Sequence, residues 1–67
     1  MKYKMKICVH KGNTYHLYNR EHLSNYYQNI NVIKQDILLL LNSNNEFFVW
    51  GELIINKKFL ISIEVEE

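Results

Sequence analysis

FFVWGELI, residues 47–54, puts large apolar side chains at even and odd positions alike. In a strand, Phe47 and Val49 point to one face while Phe48 and Trp50 point to the other. Everything else depends on which pair goes inward. A long hairpin running from Glu46 and turning at Asn56-Lys57-Lys58 pairs Ile55 with Phe59, Leu53 with Ile61, Gly51 with Ile63 and Val49 with Val65. That register gathers these residues on one buried face and leaves Phe48, Trp50, Ile54 and Leu60 on the other. A bulge or loop at Gly51 is the competing interpretation, and it would reverse the parity and send Trp50 into the core.

Working towards the N-terminus, Asn42-Ser43-Asn44-Asn45 reads as a loop. Before it, Leu23, Tyr26, Ile30, Ile33, Ile37 and Leu40 recur at spacings of three and four, the mark of an amphipathic helix. Asn19 is placed to cap it, with Glu21 in the first turn. A helix from Arg20 to Leu41 would be about 33 Å long against about 23 Å for a seven-residue strand, so it either breaks near residues 29–31 or overhangs. Val32 and Leu39 form a second small apolar strip opposite the main one.

Residues 3–9 alternate, with Tyr3, Met5, Ile7 and Val9 on one side and Lys4, Lys6 and Cys8 on the other. A second strand, Thr14–Asn19, follows Lys11-Gly12-Asn13. A three-residue loop there pairs His10 with Thr14, Cys8 with His16 and Ile7 with Leu17, which keeps the apolar residues together; a two-residue loop mixes the faces. The sum is a single small α+β domain over residues 1–67: a four-stranded antiparallel sheet in ββαββ order, with one long or broken helix on one face. Opposite charges suggest that the first and last strands are neighbours, Lys4 and Lys6 facing Glu64 and Glu66.

Length and composition limit the functional choices. A chain of 67 residues buries only about 60% of its unfolded surface, so self-association is a natural aid to stability. Cys8 is the sole cysteine, which excludes an intrachain disulfide and suits a reducing compartment. No apolar run is long enough to span a bilayer, and no secretory signal is visible, so the expected location is cytoplasmic. A net charge of +1 provides no bulk attraction to nucleic acid or to an anionic membrane.

Motifs for chemistry are sparse. Cys8, His10 and His16 share a face in the three-residue-loop register and would suit zinc, but no fourth ligand accompanies them, and no metal or other cofactor is expected. Cys8 beside His16 lacks the orienting group and oxyanion site that a nucleophile needs, so an enzyme is not expected. The outer sheet face is different: Phe48 and Trp50 there would form an apolar patch of the kind that marks an interaction site. The expected function is a small non-catalytic protein–protein interaction module, a homodimer or a binder of a host protein, with Tyr18, Phe48, Trp50, Ile54 and Leu60 or the Val32/Leu39 strip at the contact.

Small size, a composition typical of AT-rich genomes and the lack of any housekeeping motif resemble, as a genre, the accessory proteins of phages and mobile elements. Such proteins block host enzymes or defence systems, anti-CRISPR inhibitors among them, and would act in the host cytoplasm. The alternative is a single-stranded nucleic-acid binder that uses Lys4, Lys6, Tyr18, Phe48 and Trp50 as a basic, stacking surface.

Overall fold

A computed structural model describes all 67 residues, Met1–Glu67. The chain runs β1 (Lys2–Lys11), β2 (Thr14–Leu23), α1 (Ile30–Asn42), β3 (Phe47–Trp50), β4 (Leu53–Asn56), a short 3₁₀ turn (Lys57–Phe59) and β5 (Leu60–Glu66). The fold is α+β with antiparallel pairing throughout. In place of one four-stranded sheet there are two: a three-stranded sheet in the order β2-β1-β5 and a separate β3-β4 hairpin.

β1 is the centre of the larger sheet because its alternating apolar face is long and buried throughout. Tyr3, Met5, Ile7 and Val9 are all buried, and the residues between them are polar or partly exposed. The expected neighbourhood of the first and last strands is present, with Lys4 opposite Glu66 and Lys6 opposite Glu64. A register shift between Cys8 and Val9 then brings Val9 opposite Leu60 and leaves Ile61 as the extra residue of a bulge.

The first hairpin corrects the expected register. Lys11 pairs with Thr14, so the turn has only two residues, Gly12 and Asn13, at φ 60° and 65°. Two consecutive left-handed residues are the requirement of a type I′ turn, whose twist matches that of the flanking strands. The mixing of faces that argued against this register costs little, because β2 is exposed along nearly its whole length and packing does not dictate its parity. Gly12→Val should therefore lower stability by about 1–2 kcal/mol, read as a lower urea midpoint, because a β-branched side chain resists positive φ.

The helix is shorter than its spacing suggests. Arg20–Leu23, expected as its first turn, continue β2 and pair with Met5–Lys2. Asn19 is a strand residue and caps nothing; Asn29 takes that role, its side-chain oxygen accepting the Asn31 N–H at 2.8 Å. Ser24 turns the chain between the two elements, accepting the N–H groups of Tyr26 and Tyr27 on its hydroxyl. Leu23 and Tyr26 matched the helical period without being buried by it, since both are exposed.

The segment at 47–54 folds with the opposite parity to the long hairpin. The turn lies at Gly51-Glu52, with Gly51 at φ 57° and Trp50 paired to Leu53. Glycine with positive φ at the first central position is the type II′ pattern. Phe48 and Trp50 consequently point inward and are buried, while Phe47 and Val49 point out. The outer-face assignment of Phe48 and Trp50 is thus overturned, because a tight turn at Gly51 replaces the turn at Asn56–Lys58. Asn56 instead caps the 3₁₀ turn through the Lys58 N–H and redirects the chain towards β1.

One core unites these pieces. Tyr3, Met5, Ile7 and Val9 from β1 meet Ile33 and Ile37 from α1 and Phe48, Trp50 and Leu53 from the hairpin. Helix and hairpin therefore form the second layer over the inner face of the sheet. Trp50 is fastened there by its indole N–H, which donates to the Tyr3 hydroxyl at 2.9 Å.

Candidate docking surface

β2 is the unusual element. It has ten residues, a free outer edge, and scarcely any cover on either face. Its pairing with β1 assigns His16, Tyr18, Arg20 and His22 to the inner side, and Tyr15, Leu17, Asn19, Glu21 and Leu23 to the outer side. Neither a bulge nor a proline interrupts it, and these are two devices by which edge strands resist pairing with another chain.

The outer face of the larger sheet is mixed in charge. Lys2, Lys4 and Lys6 are followed by Cys8 and His10 along β1, while Glu21 on one side and Glu64 and Glu66 on the other supply the counter-charge. Lys2 Nζ lies 3.4 Å from Glu21 Oε1, both groups well exposed, a pair that adds little to stability. Tyr15 stacks on His10 at 4.5 Å, and Cys8 lies opposite Leu17. The two-residue turn puts His16 on the inner face, so Cys8, His10 and His16 do not converge, contrary to the register that made them neighbours.

The inner side of β2 faces the outward wall of the hairpin, and two depressions lie between them. One, of about 360 Å³, is lined by Tyr18, Phe47, Ile54 and Phe59, with Lys11 the only charged group. The other, of about 340 Å³, lies towards the opposite end of β2 between His22, Leu23, Tyr27, Val49 and Trp50. Ile54 is 69% exposed, and Tyr18, Phe47 and Val49 between 43% and 46%. Such a concentration of exposed apolar groups around the two depressions is what interaction sites display.

Two polar groups fix the walls. The Tyr27 hydroxyl donates to Asp36 Oδ2 on α1, and its ring stacks on Trp50 at 5.9 Å. That hydrogen bond to the carboxylate, with burial adding to it, pushes the Tyr27 pKa up to about 12. His22 stacks on Tyr3 with ring centroids 5.1 Å apart, and its Nε2 is buried without a partner. Burial first, and the nearby Arg20 charge second, lower the His22 pKa below 6.5.

A pH effect on stability follows. The unfolded chain takes up a proton at His22 near pH 6.5, and the folded chain does so only at lower pH. Stability from this group is complete above pH 6.5 and falls as the pH drops through the folded value. Urea midpoints should decline between pH 7 and pH 5, and His22→Gln should flatten that part of the profile.

Of the residues singled out by sequence, Tyr18 and Ile54 are brought together in one depression. Phe48 and Trp50 belong to the core, although Trp50 also edges the second depression. Leu60 is partly buried and lines a separate groove of about 480 Å³ between α1 and β5. Val32 and Leu39 are exposed on α1, Leu39 beside a hollow that includes Leu40 and Tyr27. Phe47 and Val49 were missed; treating Gly51-Glu52 as a two-residue turn would have placed them outward. No protein-family model, curated protein or solved structure matches the chain. No helix is long and apolar enough to cross a membrane.

The groove presents aromatic and aliphatic contact area with Lys11 at its margin, beside a strand edge whose backbone groups are free to pair. Those are the components of β-strand addition, in which main-chain hydrogen bonds supply affinity and side-chain pockets supply selectivity.

Proposed function

We propose that the protein is a small non-catalytic interaction module that docks other protein chains between β2 and the outer wall of the β3-β4 hairpin. The observation that supports this most is the set Tyr18, Phe47 and Ile54, exposed around one groove, with Val49 at the neighbouring depression, beside a strand edge that no bulge or proline interrupts. Inhibition of a host enzyme or defence complex by a phage or mobile-element protein is the form of this function that its size and composition suit, and it would take place in the host cytoplasm.

Single-stranded nucleic acid is the weaker reading. Its stacking platform required Phe48 and Trp50 on an open face, and both are buried. Lys4 and Lys6 stand opposite Glu66 and Glu64, which cancels much of their potential.

The test compares wild type with Ile54→Lys as tagged baits in lysate of a low-GC bacterium, alongside anisotropy titrations with labelled oligonucleotides. A specific protein retained by wild type and lost with Ile54→Lys supports the docking function. Oligonucleotide binding that weakens steeply with salt, with no protein retained, would overturn it.

A further inference from the structure

We infer that the occupant of this surface is a second copy of the same chain, joined antiparallel along the free edge of β2. The inference rests on the docking function proposed above and names its partner. A two-fold axis normal to the sheet keeps the inner faces of both copies on the same side, so only registers that pair residues of like parity are allowed. Centring on Asn19 sets Tyr15 opposite Leu23 of the second copy, Leu17 opposite Glu21, Tyr18 opposite Arg20 and His16 opposite His22, each pair occurring twice.

Alternative registers are poorer. Centring on Tyr18 sets His16 against Arg20 and Tyr15 against Glu21. Centring on Arg20 puts two guanidinium groups face to face. The Asn19 register pairs Tyr15 with Leu23 on the outer face and stacks Arg20 against Tyr18 on the inner one; the Arg20 register also pairs Leu17 with Leu23, but at the cost of the two facing guanidinium groups. The placement of Arg20 against an aromatic ring, not against its own copy, thus favours the Asn19 register.

The same step closes the groove. Both hairpins stand on the inner side of the joined six-stranded sheet, so the exposed Phe47 and Ile54 of each copy face the seam and its opposite number. Covering Tyr15, Leu17, Tyr18, Leu23, Phe47 and Ile54 removes on the order of 500 Å² per copy, about 1,000 Å² in all, which reaches the size of a specific interface. β5, the other free edge of this sheet, is a poorer candidate because its bulge at Ile61 interrupts a regular pairing edge.

Native mass by light scattering over a dilution series tests the inference. Wild type should have the mass of two chains, and Tyr15→Lys and Ile54→Lys, both at positions 69% exposed, should each raise the dissociation constant about 100-fold or more. Their circular dichroism should remain that of wild type. Ile61→Lys on β5 should leave the dimer intact. A monomer at every concentration would overturn the inference, as would a dimer abolished by Ile61→Lys and indifferent to the other two. A monomeric wild type that still retains a foreign protein through Ile54 sinks the self-pairing and leaves the docking function standing; one that retains nothing sinks both.

Discussion

Phe48→Ala should leave the protein largely unfolded at 25 °C, whereas Phe47→Ala should melt almost as wild type does. The two phenylalanines are adjacent, yet Phe48 is 0% exposed and Phe47 is 43% exposed. Removing a fully buried Phe side chain costs about 3–5 kcal/mol through lost transfer energy and the cavity left behind. A domain of this length has only about 3–10 kcal/mol in total, so that loss is comparable to the whole. Phe47→Ala removes a half-solvated ring and should cost about 1 kcal/mol or less, while weakening whatever docks beside Ile54. Urea titrations followed by circular dichroism separate the outcomes. Equal effects, or the reverse order, would mean that the Gly51-Glu52 turn and the inward parity of Phe48 are wrong.

Trp50→Ala should be about as damaging, for a partly different reason. The ring is 8% exposed, stacks on Tyr27 and Phe48, and donates its indole N–H to the Tyr3 hydroxyl. Tyr3→Phe keeps the core volume but leaves the buried N–H without an acceptor, at a cost of about 1–3 kcal/mol. Trp50→Phe removes the donor as well, so Tyr3→Phe made in that background should cost clearly less than in wild type. This coupling, measured as a double-mutant cycle, is specific to the observed packing. Strict additivity would show that the hydrogen bond does not tie the hairpin to β1.

These two experiments concern the part of the molecule that was hardest to read from residues alone. FFVWGELI is apolar at both parities, so alternation could not choose between inward Phe48 and inward Phe47. The choice was made by Gly51, which adopts positive φ in a two-residue turn. The same ambiguity affected the docking surface. Tyr18 and Ile54 are exposed as expected, but Tyr18 lies on the inner side of the sheet, opposite Ile7, and not on the outer face to which the three-residue loop assigned it; Phe47 and Val49 were not anticipated because they had been given to the core. The helix was legible from Ile30 onward, where Ile33 and Ile37 are buried at the period of its inner face. It was over-extended at 20–28 because Leu23 and Tyr26 fit that period by coincidence, while the free backbone of Lys2–Met5 recruited Arg20–Leu23 as a strand.

By itself the sequence determined what local physics can decide: β1 from its strict alternation, the later part of α1 from its 3.6-residue period, and the neighbourhood of β1 and β5 from opposite charges. Only the tertiary structure decided the division into two sheets, the parity of the hairpin and the exposure of β2. Those features depend on which surfaces cover one another across the core. Burial is a property of distant segments brought together, and a segment that is apolar on both faces has no local preference for either.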